Sequence, residues 1–71
     1  MRNLPSLREI REDKAMSQRN LADRSGVAQS TIVELELNKR EAQPSTTRKL
    51  AEALGVEPVD LMSKPERKGK R

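Results

Sequence analysis

The sequence predicts an all-α fold, a compact bundle of five short helices around one core. Three observations predict it. Apolar residues recur at spacings of three and four, as in Leu4, Leu7, Ile10 and again in Leu50, Ala51, Leu54, which places each set on one helical face. Apart from Val33 to Leu37, no segment alternates apolar and polar residues as a half-buried strand would. Ser17, Gly26, Pro44 and Gly55 stand at the margins of the periodic runs, and these are residue types that start and stop helices.

The first helix is expected from Leu4 to about Lys14, with Leu4, Leu7 and Ile10 inward. Pro5 suits its first turn, where a missing N–H costs nothing. Ser17 is the expected N-cap of the second helix, about Gln18 to Ser25, whose apolar pair is Leu21 and Ala22. Gly26 ends it, because glycine tolerates the left-handed conformation that helix C-termini often need. A third helix starts near Ala28 or Gln29, with Ile32 and Leu35 inward and Val33 a further apolar candidate. Leu37 to Pro44 reads as a loop, in which Asn38 tolerates a left-handed conformation and Pro44 blocks helix continuation. Ser45 is expected to cap a fourth helix with Leu50, Ala51, Ala53 and Leu54 inward, ending at Gly55. Glu57-Pro58 opens a fifth helix through Leu61 and Met62.

Composition narrows the function. At 71 residues the chain holds one domain. It has no Phe, Tyr or Trp, so aromatic stacking on single-stranded bases is excluded. It has no Cys and no His, which excludes zinc ribbons, thiol chemistry and histidine bases. No glycine-rich phosphate loop or acid/base carboxylate pair is present, so no enzyme activity is expected. Neither a cofactor, a metal nor a small-molecule ligand is expected. No apolar run reaches membrane-span length and no signal-peptide core follows Met1, so a cytoplasmic location is expected.

The formal charge is +4, from fifteen basic and eleven acidic residues. Five of the basic residues and one acid fall in residues 64–71, leaving ten of each sign in residues 1–63. The excess charge is a property of the end. Residues 1–63 are therefore expected to fold as the domain, and 64–71 to form a disordered basic tail. Any case for a nucleic-acid partner has to rest on where charges fall within the fold.

The informative stretch runs from Gln18 to about Leu37. Two short helices meet there steeply through a glycine-containing turn. Ala22 keeps the crossing close, Gly26 makes the turn, and Val27, Ile32 and Leu35 hold the second helix down. Gln29, Ser30, Val33 and Glu34 then point outward, with the N-terminal end of the helix exposed.

With Gln18, Leu21-Ala22, Gly26-Val27, Ile32, Leu35-Glu36, Lys39-Arg40, Leu50-Ala51 and Leu54-Gly55-Val56 at these spacings, the chain resembles the phage-repressor and Cro-type (XRE-like) helix-turn-helix family over roughly Leu4 to Met62. The resemblance implies a lambda-repressor-like DNA-binding domain of a transcriptional regulator, reading the major groove as a homodimer on a two-fold operator. It implies base-reading roles for Gln29, Ser30 and Glu34. A glutamine can make a bidentate contact to adenine, and a carboxylate can accept from the cytosine amino group. It implies phosphate contacts for Gln18, Arg19, Thr31, Lys39, Arg40 and Arg48, and a partly buried structural ion pair between Arg11 and Glu36. The chain departs from the family pattern at Ala28, where a hydroxyl cap is usual, at Leu37-Asn38, where a polar residue and glycine are common, and at Glu41. The plainer alternative for the outward residues is ordinary solvation. The alternative for the whole chain is a protein-interaction module of the same fold, such as an antitoxin or small adaptor subunit. The candidate dimer surface is the fifth helix with Val56, Val59, Leu61 and Met62.

Overall fold

The structure, a computed structural model, describes residues 3–63. The expected basic tail at 64–71 lies outside the described residues. Five helices follow in order: α1 (Leu7–Asp13), α2 (Gln18–Ser25), α3 (Gln29–Glu36), α4 (Pro44–Leu54) and α5 (Pro58–Met62). α2 packs against α3 and α4, α4 against α5, and α1 against α3 and α5. Leu4, Leu7, Leu21, Ile32, Leu35, Leu50 and Leu61 are fully buried between them.

Two helix starts differ from expectation, each for a local reason. α1 begins at Leu7 rather than Leu4. The Ser6 N–H donates to the Leu61 carbonyl (3.3 Å) and the Ser6 hydroxyl to the Ser63 carbonyl, so this segment is tied to the α5 end. Leu4 still reaches the core, from the stretch just before the Pro5–Ser6 turn rather than from a helix. α4 begins at Pro44 with Gln43 as N-cap, not at Ser45. Proline blocks what precedes it but suits the first helical position, since its φ is already helical and its absent N–H would be unpaired there anyway.

The core register shifts slightly as well. Thr47 is buried and its Oγ1 donates to the Gln43 carbonyl at 3.1 Å, while Ala53 is only half-buried. The loop residue Ala42 is buried too. Ile10, expected inward, is half-buried, and the adjacent Arg11 turns in instead.

Four helix ends use left-handed residues, Gly26 after α2 (φ 77°) among them. Gly55 (φ 72°) follows α4, as expected. Asn38 (φ 58°) follows α3, with the Lys39 N–H donating to the Glu34 carbonyl at 2.9 Å. Ala15 (φ 58°) follows α1, with the Met16 N–H donating to the Arg11 carbonyl at 3.2 Å. These backward bonds satisfy carbonyls that the helix end would otherwise leave open.

Candidate nucleic-acid interface

α2 and α3 form the two arms of the site. The Ser17 hydroxyl accepts the Asn20 N–H at 2.9 Å and so caps α2. The helix ends at Gly26 with φ 77°, where the Gly26 N–H donates to the Ala22 carbonyl at 2.9 Å. The Ser25 hydroxyl accepts the Val27 N–H at 3.1 Å and helps fix the turn. Val27 drops into the core and Ala28 leads directly into α3. Ala28 has no side chain that can cap, so the first-turn N–H groups of α3 have no side-chain acceptor from that position.

Ile32 and Leu35 pin α3 from beneath, and a polar network pins it from the side. Arg11 Nε donates to Glu36 Oε2 at 2.6 Å and Arg11 Nη2 to Glu36 Oε1 at 3.1 Å, a bidentate pair. Arg11 Nη1 also donates to the Met16 carbonyl at 2.7 Å, and Gln18 Nε2 to Glu36 Oε1 at 3.0 Å. The side chains of Arg11 and Glu36 are only 10% and 4% exposed. The hydrogen bond to Glu36 raises the Arg11 pKa above its ordinary value, against an opposing push from burial. One carboxylate at the end of α3 thus holds α1 and the start of α2.

Gln29, Ser30 and Glu34 are exposed on α3. Thr31 is half-buried and lines a surface groove with Arg40, Gln43, Thr46 and Lys49. Arg19, Lys39, Arg40 and Arg48 are exposed. Gln18 is half-buried, and its amide is committed in part to Glu36. Two expected roles meet in one contact, because Arg40 Nη1 lies 3.0 Å from Glu34 Oε1. Lys49 rather than Arg48 shares the groove with Thr31 and Arg40. Threes and fours along α4 give the signal for this, since Thr46 and Lys49 fall on one face. Two further residues belong to the outer side of α3, Val33 and Leu37, neither of which carries a hydrogen-bonding group. Leu37 is 55% exposed.

The helix-turn-helix family model matches residues 7–61 of this sequence. The chain belongs to the helix-turn-helix family. This helix-turn-helix domain is 36% identical over 61 residues to the HTH-type transcriptional regulator PuuR of Escherichia coli (strain K12) and, equally, to that of Shigella flexneri. Those matches cover 86% of this chain and 33% of each relative, so the chain spans about a third of the length of these curated relatives. Among solved structures it resembles the restriction-modification controller protein C.AhdI of Aeromonas hydrophila, with TM-score 0.77 and 37% identity, over 83% of this chain and 91% of that one. The all-α, five-helix architecture expected from the sequence is the one found.

Proposed function

We propose that this helix-turn-helix domain is the DNA-binding part of a sequence-specific transcriptional regulator, reading the major groove of duplex DNA with the start of α3. The observation that carries the reading is the exposure of Gln29, Ser30 and Glu34 on a helix clamped to the domain by Ile32, Leu35 and the Arg11–Glu36 pair. The names of PuuR and C.AhdI, a transcriptional regulator and a controller protein, support the same reading. Gln29 and Ser30 are assigned to base edges. Gln18, Arg19, Thr31, Lys39, Arg40 and Arg48 are assigned to phosphates, with Lys49 added from the groove.

The Glu34–Arg40 pair fits this assignment through its weakness. Its side chains are 48% and 52% exposed, and such a pair is worth at most about 1 kcal/mol. Arg40 can therefore exchange a carboxylate for a phosphate at little cost. That exchange frees Glu34 to accept from a cytosine amino group. In the unbound domain Arg40 also offsets a negative charge that would repel the duplex.

One domain of this size reads few bases, so we assign it a homodimer on a two-fold site, acting without enzymatic activity in the cytoplasm. Val59, 59% exposed on α5, is available to such an interface, whereas Leu61, expected on that surface, is fully buried in the core and is not. The competing reading, a protein-interaction module, is favoured by the balance of charge over residues 1–63. Salt dependence separates the two. Duplexes selected from a random pool should bind with log Kd rising linearly with log salt, and Arg40→Ala should lower that slope by about 1. Failure to retain any duplex at low salt refutes the DNA reading.

A further inference from the structure

On the reading of α3 as the groove helix, we infer that Val33, backed by Leu37, contacts the 5-methyl group of a thymine and so fixes an A·T pair in the operator. The two residues lie one turn apart, with the Leu37 N–H donating to the Val33 carbonyl at 3.1 Å. Val33 also follows Ser30 by three positions, so Ser30, Val33 and Leu37 share one side of the helix. The core does not account for this apolar stripe. Ile32 and Leu35 are 0% exposed and fill the inner face, whereas Val33 is half-buried and Leu37 is 55% exposed.

The chemistry selects the occupant. Neither side chain can donate to a phosphate or pair with a base edge. In the major groove every base presents hydrogen-bonding atoms, and thymine alone adds an apolar group. A stripe beside Ser30 and Glu34 therefore gains from thymine and loses from any base that puts an amino group or bare polar edge against it. Val33 lies four positions beyond Gln29, an axial distance of about 6 Å, so the thymine lies within about two base pairs of the base that Gln29 reads.

The test replaces each thymine of a selected duplex in turn by deoxyuridine, which removes the methyl and leaves the pairing edge intact. Affinities are measured for the wild-type chain, Val33→Ala and Leu37→Ala, with helical circular dichroism confirming that each is folded. At one position per half-site the wild type should lose about fourfold in affinity, the value of one buried carbon group. The Val33→Ala chain should lose much less there, a coupling that only a direct contact produces. Leu37→Ala, at an exposed site, should blunt the same position and serves where Val33→Ala folds poorly. A selected duplex that responds equally in all three proteins, or has no sensitive thymine, overturns this inference and leaves the groove reading standing. A random pool that yields no bound duplex overturns both.

Discussion

Arg11→Ala tests the physical basis of the site most directly. The substitution leaves the Glu36 carboxylate, 4% exposed, with the Gln18 amide as its remaining side-chain donor. Removing one member of a buried ion pair costs about 3–5 kcal/mol, because the other charge stays buried without its partner. The surviving Gln18 bond places the cost near the lower end, about 3 kcal/mol. A domain of this length has a total stability of roughly 3–9 kcal/mol, so the variant should lose a third or more of it. Arg8→Ala is the matched control. Arg8 pairs with Glu12 at 3.2 Å, but the side chains are 66% and 54% exposed, and such a helical pair contributes about 0.3–0.5 kcal/mol. The chain has no aromatic residue, so urea unfolding is followed by helical circular dichroism. Replacing both partners by apolar residues, Arg11→Met with Glu36→Leu, should recover most of the loss. Stabilities of Arg11→Ala and Arg8→Ala within about 0.5 kcal/mol of each other would refute the reasoning.

The left-handed residues give two predictions of opposite sign. Ala15→Gly should stabilise by about 1 kcal/mol, a rise in Tm of roughly 4–8 °C, because glycine relieves the strain of φ 58°. Gly26→Ala should destabilise by about 1 kcal/mol through that same strain alone, since a Cβ there would meet nothing within 4 Å; thermal melts read both. The raised Arg11 pKa gives a pH prediction. A group whose folded pKa is raised contributes stability that is complete below its unfolded pKa and lost only above the folded one. The Arg11 contribution should therefore be flat across neutral and mildly alkaline pH, and the gap between wild type and Arg11→Ala in urea should not change between about pH 7 and 10.

The five elements were legible because each depends on local rules. Ser17 and Gly26 declare their helix ends by chemistry that needs no tertiary partner. The misplaced starts of α1 and α4 show where local rules stop. Ser6 is drawn off by carbonyls some 55 residues further along the chain, and no window around Ser6 contains that information. Pro44 could mean either the end of a loop or the start of a helix, and Ser45 beside it is a plausible cap in its own right. The Arg11–Glu36 contact came from the family resemblance, since 25 residues separate the partners and neither stands out by periodicity. The Glu34–Arg40 contact was missed for the opposite reason. Both residues were singled out, for separate tasks, and a spacing of six across a left-handed turn at Asn38 predicts no contact.

These placements explain why the buried pair belongs at the end of α3 rather than elsewhere. An isolated helix of eight residues is unstable in water, because its few hydrogen bonds cannot offset the cost of nucleation. α3 also lacks a side-chain cap at Ala28, on the end proposed to meet DNA. Its geometry must then be imposed from the far end and from beneath, by Glu36 and by Ile32 with Leu35. In the proposed role, the Arg11–Glu36 clamp and the base contact of Gln29 sit at opposite ends of one short helix and respond differently to substitution. Loss of the Arg11 contact lowers apparent affinity only by the fraction of chain left folded. Loss of a bidentate base contact at Gln29 would cost about 1–3 kcal/mol of discrimination in a domain as stable as before.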